Sequence, residues 1–269
     1  MDKPNNESCP SDLRVGIIGK GALGTRIADG IANGNLSGLV LASVLTRSVN
    51  DFDAFLENCD VVVEAAGRDA IETYGPTVVA EGRTLVVLSV GALVDESLFE
   101  TLSNGPGQLI VSAGAIGGLD LLRSLQISGV LESVKLNSRK RPSSFIQPWM
   151  SSEIQSSLNA ELSEIEVFKG SARDAVMRFP SNANIAAALA ISGIGFDRTS
   201  VSLLADPLIT NTKHTVEIVS KIGTYRFEFI NEISQENPKS SQLAAYSVLA
   251  ELEIFARAFG KPKRKMEKQ

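Results

Sequence analysis

This 269-residue chain has very little histidine, cysteine or tryptophan: one, two and one residue respectively. Structural zinc takes four Cys or His ligands. Cys9 and Cys59 form no CxxC pair, and His214 stands far from both in sequence, so no metal site is expected. Any chemistry that needs two histidines is excluded by the same count. Long apolar runs are missing as well. The longest, residues 185–194, is broken by Ser192 and Gly193 and falls short of the roughly 20 residues a membrane-spanning helix needs. Residues 1–12 carry no apolar stretch behind a basic start, which excludes a secretory signal, suggests a disordered arm and sets the expected location as cytoplasmic. Net positive charge is absent too: 26 basic residues face 31 acidic ones, for a net charge of -5. That balance argues against nucleic acid or an anionic membrane as partner.

What the chain does have is apolar material, 43% of its residues, enough for a substantial core in one large domain or two modest ones. Residues 13–18 are a short apolar run. A glycine turn follows, and residues 22–31 then place Leu23, Ile27 and Ile31 at helical spacing. Further near-continuous apolar segments at 39–45, 60–66, 84–89 and 108–112, with helical material at 69–80, read as strands buried on both faces of a parallel sheet. The fold class is therefore α/β, with an N-terminal Rossmann-type doubly wound parallel sheet over residues 13–112. From residue 113 the texture changes. Helix-like stretches at 119–128 and 182–194 accompany alternating strands at 130–137, 164–169, 200–205, 215–219 and 224–229. Such alternation suits an antiparallel sheet with one solvated face, giving a second, α+β domain over residues 113–237. A helix within residues 238–260 is expected to pack back on the first domain, and the basic residues 261–269 read as a solvated end.

The turn Gly19-Lys20-Gly21-Ala22-Leu23-Gly24 has a physical use. The first glycine permits a tight turn, the second lets the backbone approach a pyrophosphate, and the third allows close packing of helix on strand. The helix start adds free amides and partial positive charge. Gly19, Gly21, Ala22, Leu23 and Gly24 are thus the expected dinucleotide-binding set. About 20 residues further on, where a carboxylate would read the adenosine ribose of NAD, the chain has Thr46-Arg47-Ser48. A guanidinium flanked by hydroxyls suits the 2'-phosphate of NADP, so Arg47 joins the set and the cofactor is NAD or NADP, with NADP favoured.

Four motifs in order, 112–120 (SAGAIGGLD), 178–187 (RFPSNANIAA), 205–214 (ADPLITNTKH) and 237–241 (NPKSS), closely resemble those of the L-aspartate dehydrogenase family. The resemblance runs from Leu13 to about Phe259. It implies oxidation of L-aspartate with NAD or NADP to iminosuccinate, which either hydrolyses to oxaloacetate and ammonia or feeds NAD synthesis. It also implies a homodimer or larger homo-oligomer. By motif, His214 matches the family's active-site histidine, and Ala115 and Asn184 match positions at the nicotinamide end of the cofactor. Two departures stand out: Arg139-Lys140-Arg141-Pro142 has an arginine where the family often has proline, and Ser240 stands where the family has threonine.

A lone histidine is more often structural than catalytic; the motif around His214 is what singles it out. The ordinary imidazole pKa makes it the expected proton carrier near pH 7. The two carboxylates of L-aspartate call for cationic partners, for which Lys239 and Lys140 are the first candidates and Arg139 and Arg141 the others. Lys213, next to His214, would lower the histidine's pKa if the two lay close. Two alternatives remain open: a non-catalytic NAD(P)H-binding sensor, and another two-domain NAD(P)-dependent reductase. The dihydrodipicolinate type of the latter needs a histidine pair that the chain lacks.

Overall fold

The computed structural model describes residues 12–34, 36–48, 51–160, 163–232 and 241–258. The first half alternates strand and helix: β1 (Leu13–Ile18), α1 (Ala22–Ala32), β2 (Leu39–Leu45), α2 (Phe52–Glu57), β3 (Val61–Glu64), α3 (Arg68–Ala80), β4 (Thr84–Val87), a 3-10 turn (Val90–Val94), α4 (Glu96–Asn104) and β5 (Leu109–Val111). Its five strands are all parallel, in the order β2-β1-β3-β4-β5. The central strand β3 shows why the sequence reads as it does. Val61, Val62 and Val63 are all fully buried, because helices cover both faces of a parallel sheet. Strand order reverses direction between β1 and β3, and the carboxyl ends of those two strands open the crevice where such sheets bind ligands.

The second half runs α5 (Leu119–Ile127), β6 (Leu131–Lys140), a 3-10 turn (Pro142–Ser144), α6 (Ser152–Ala160), β7 (Ile165–Ser171), α7 (Ala172–Arg178), α8 (Asn184–Ser192), β8 (Thr199–Ala205), β9 (Thr212–Ser220), β10 (Gly223–Asn231) and α9 (Leu243–Ala258). Its sheet has the order β10-β9-β6-β8-β7. Expected to be antiparallel throughout, it is mixed: β6 and β8 run parallel, while the other neighbours are antiparallel. Alternation reports which face of a strand is solvated and says nothing about the direction of its neighbour. The chain between β6 and β8 holds three helices and a strand, enough for the long crossover that parallel pairing needs. On β6, Val134, Leu136 and Ser138 face the core while Lys135 and Asn137 face solvent.

The two halves share one apolar core. It joins Val62 and Val87 of the first sheet to Val216 and Ile218 of the second through α8, whose Ala186–Ala190 segment is buried all round. A second core on the opposite face of the parallel sheet includes Val248, Leu252 and Phe255 of α9. Helix α9 lies so close on α1 that a Cβ at Gly30 would stand 2.4 Å from the Leu249 side chain. The C-terminal helix thus returns to the first domain, and the hydroxyls of Ser247 and Ser112, 3.2 Å apart, tie it to the end of β5.

Candidate active site

The glycine turn does its work by exclusion of atoms. Gly19 has φ of 105°, and a Cβ there would sit 2.8 Å from the carbonyl oxygen of Ala65. A Cβ at Gly24 would fall 2.1 Å from the carbonyl oxygen of Gly19. Neither position tolerates a side chain without moving backbone. Gly21 is different: a Cβ there would meet nothing within 4 Å. It is the N-cap of α1, gives that helix no side-chain cap, and no acidic residue sits in the first turn. The space in front of Gly21, Ala22 and Leu23 and the uncapped amides of the helix start therefore fit an anionic diphosphate. Arg47 is exposed just past β2, next to a Thr46–Ser48 hydroxyl contact of 3.1 Å. Among the described residues it pairs with no carboxylate.

A residue that sequence reading missed holds the back of this turn. Glu64, the last residue of β3, is fully buried and accepts from the backbone N–H of Ala66 (2.8 Å), Gly67 (2.7 Å) and Ser89 (3.0 Å) and from the Ser89 hydroxyl (3.0 Å). Burial pushes its pKa up against the pull of those donors. One carboxyl group thereby fixes the loops that follow β3 and β4, including the Ala65 carbonyl against which Gly19 packs. The strand pattern at 60–66 gave no sign of it, because an acidic residue ending a strand usually reads as a solvated one.

The second sheet supplies the side chains. Register places Ser138 of β6 opposite His214 of β9, and Ser138 Oγ lies 2.8 Å from His214 Nδ1 in a buried contact. Two residues on, and hence on the same face of β6, Lys140 donates from Nζ to Oδ1 of Asn182 at 3.0 Å. Burial first, and the charge of Lys140 second, lower the His214 pKa to about 3; burial alone brings Lys140 down to about 8. His214 is therefore neutral in the free protein across physiological pH. Burial thus takes this imidazole well below the ordinary range on which the expectation of a proton carrier leaned. Nor does Lys213 act on it: adjacent strand residues point to opposite faces, and Lys213 pairs with Glu228 at 2.7 Å on the solvated side. The same alternation sorts the 139–141 segment. Arg139 pairs with Glu164 and Asp206, Arg141 donates to the carbonyl oxygen of Ile209, and only Lys140 turns inward.

A cavity of about 140 Å³ at the junction of the two halves brings the scattered residues together. Leu23, Ala115, Lys140, Asn182, Asn184 and His214 all line it. Ala115 is buried, and its carbonyl oxygen accepts from Nδ2 of Asn231. Asn184 is the first residue of α8 rather than its cap, a position taken by Ala183. Its Oδ1 accepts from the Gly91 N–H at 3.0 Å, which ties the start of α8 to the 3-10 turn after β4. Arg47, just past β2, does not line this cavity; Lys239 lies outside the described residues. A larger hollow of about 630 Å³ occupies the solvated face of the second sheet, and neither His214 nor any glycine of the turn lines it.

Known proteins match both halves of the chain. Residues 120–254 match the family model described as aspartate dehydrogenase, C-terminal, and residues 45–105 match the NAD binding domain of homoserine dehydrogenase. An L-aspartate dehydrogenase from Nitrosopumilus maritimus is 33% identical over 263 residues, covering 90% of this chain and 96% of the relative. The chain belongs to the aspartate dehydrogenase family. An L-aspartate dehydrogenase 3 from Bordetella bronchiseptica is 34% identical over 262 residues, with 91% and 96% coverage. The crystal structure of aspartate dehydrogenase from Thermotoga maritima superposes with a TM-score of 0.68 at 25% identity, covering 96% of this chain and 99% of that one. The NAD binding domain match falls within the first half of the chain, and the cavity lies at the junction of the two halves.

Proposed function

We propose that the protein oxidises L-aspartate to iminosuccinate with NAD or NADP, using His214 as proton acceptor and Lys140 as the partner of a substrate carboxylate. One observation carries the reading. Leu23 from the glycine turn, Ala115 and Asn184 at the expected nicotinamide end, and His214 and Lys140 from the second sheet share a single cavity, although they are spread over almost 200 residues of sequence. The nicotinamide ring, when bound, supplies the acceptor for the hydride that leaves Cα. The small side chain of Ala115 leaves room for that ring, and the amide nitrogen of Asn184, whose oxygen is taken by Gly91, is the donor that remains for its carboxamide.

Proton handling falls to this chain's own groups. Hydride leaves an amine only when its nitrogen lone pair is free, so the substrate ammonium must first lose a proton. The His214 tautomer that donates from Nδ1 to Ser138 leaves Nε2 as its free acceptor. In the free protein that acceptor is weak. A bound dicarboxylate would compensate the Lys140 charge and so relieve the smaller of the two causes that hold the imidazole down, burial being the larger. The ammonium proton passes to Nε2, the nitrogen lone pair forms the C=N bond as hydride departs, and the imidazolium later releases the proton to solvent. The exposed Arg47, with Thr46 and Ser48, supports preference for the 2'-phosphate of NADP.

A purified-protein screen tests the reading. L-Aspartate should be turned over with NAD(P)H formation, and kcat/KM for L-glutamate and L-alanine should be at least about tenfold lower, since one misplaces and the other lacks the second carboxylate. Comparable values for L-alanine would refute the assignment.

A further inference from the structure

Lys140 reaches the cavity on a flexible four-carbon stem, yet among the described residues its ammonium has one defined partner, Oδ1 of Asn182 at 3.0 Å. The orientation of that amide is settled by its other end, because Nδ2 donates to the carbonyl oxygen of Ser144 at 3.0 Å. A flipped amide would set its NH2 group against the ammonium and its carbonyl against another carbonyl. Asn182 is itself buried, in the turn between α7 and α8, where its N–H donates to the carbonyl oxygen of Phe179 at 2.8 Å. The Phe179 ring is wedged edge-on among Phe145, Trp149 and Phe168, at 5.5 to 6.1 Å between centroids. A rigid aromatic cluster thus fixes the turn, the turn fixes the amide, and the amide fixes the ammonium.

An amide holds a lysine without neutralising it. Of the other elements that line the cavity, β9 brings His214, and Glu232 just past β10 is the one carboxylate among the described residues; it is exposed and forms no ion pair with Lys140. We propose that Asn182 is a positioning residue that holds Lys140 in place with its charge and two remaining N–H donors intact for a carboxylate of the substrate. The inference rests on the reading of the chain as an L-aspartate dehydrogenase and adds a residue that acts through Lys140 rather than on the substrate.

Two variants and two readouts test it. In Asn182→Ala the ammonium loses its anchor, and KM for L-aspartate and Ki for succinate, a dicarboxylate without an amine, should both rise about tenfold, with a smaller change in kcat. In Asn182→Asp the new carboxylate pairs with Lys140 and competes with the ligand. The rise in KM and Ki should then exceed that of the alanine variant, and the Lys140 titration, read from the 13Cε resonance of labelled lysine and assigned with Lys140→Met, should move upward from its wild-type position near pH 8. The Kd for NADPH should stay within about threefold in both variants. Wild-type KM and Ki in both variants would overturn the proposal, as would losses shared equally by KM, kcat and NADPH binding, since those mark a purely structural residue. Failure of the functional reading looks different: the wild-type enzyme would not oxidise L-aspartate while the Lys140 resonance still moved in Asn182→Asp, and that result would overturn the substrate half of the inference.

Discussion

The two sheets build their halves of the site by opposite means. The parallel sheet works with backbone and empty space: Gly19, Gly21 and Gly24 lie within six residues, and what matters at each is the atom that is not there. The mixed sheet works with side chains from distant strands. Ser138 and His214 are 76 positions apart, and Lys140 and Asn182 are 42 apart. A site made of contiguous backbone is tied to its fold and serves any dinucleotide enzyme. A site made of alternating positions on paired strands can be rewritten residue by residue on an unchanged sheet, which is where our proposal puts substrate choice.

The largest test of this contrast is His214→Ala. Positioned proton transfer contributes roughly 100- to 10,000-fold, so kcat should fall by about that range while NADPH binding, the work of the other half, holds its wild-type affinity by fluorescence titration. A variant that keeps wild-type kcat would remove His214 from the chemistry. One that loses activity only because its melting temperature has collapsed would make it a core residue.

The same contrast explains what the sequence could show. The glycine turn, the buried strands of the first sheet and the switch to alternation after residue 113 are local patterns, and each appears in the fold. The site residues His214, Ala115 and Asn184 came from matched motifs rather than from spacing, because no periodicity reports that β9 pairs with β6. Lys140 was one cation among three in a row, and only strand alternation turned it inward and its neighbours out. Glu64 carried no signal, since its importance lies in hydrogen bonds to backbone groups of other loops, and Asn182 lay inside a matched motif without any sign that it would meet Lys140. The parallel pairing of β6 with β8 was hidden for a related reason: burial pattern is a property of one strand, direction a property of two.

Burial of His214 also makes the second sheet sensitive to acid. An imidazole with a pKa near 6.5 in the unfolded chain and about 3 in the folded one binds more protons when unfolded throughout that interval. Its contribution to stability is complete above pH 6.5 and is lost as pH falls toward 3, at about 1.4 kcal/mol per pH unit. Between pH 6.5 and 5 this amounts to about 2 kcal/mol. Urea unfolding at those two pH values should show His214→Gln losing less stability than wild type by about this difference. Equal losses would mean that His214 takes up its proton in the folded state.

Arg47 offers the smallest effect and the cleanest separation, because it lies in the parallel-sheet half, away from the cavity, and acts by side chain in a region otherwise run by backbone. If its guanidinium pairs with the 2'-phosphate, Arg47→Asp replaces a charge-assisted contact with repulsion and should raise KM for NADP by about tenfold or more. NAD has no phosphate at that position, so its KM should be unchanged, or should fall if the new carboxylate accepts from the ribose hydroxyls. KM for L-aspartate should not move with either cofactor at saturation, because the substrate partners proposed above, His214 and Lys140, are on the second sheet. An equal rise for NAD and NADP would show that Arg47 supports the loop rather than the phosphate and would assign cofactor choice to other residues.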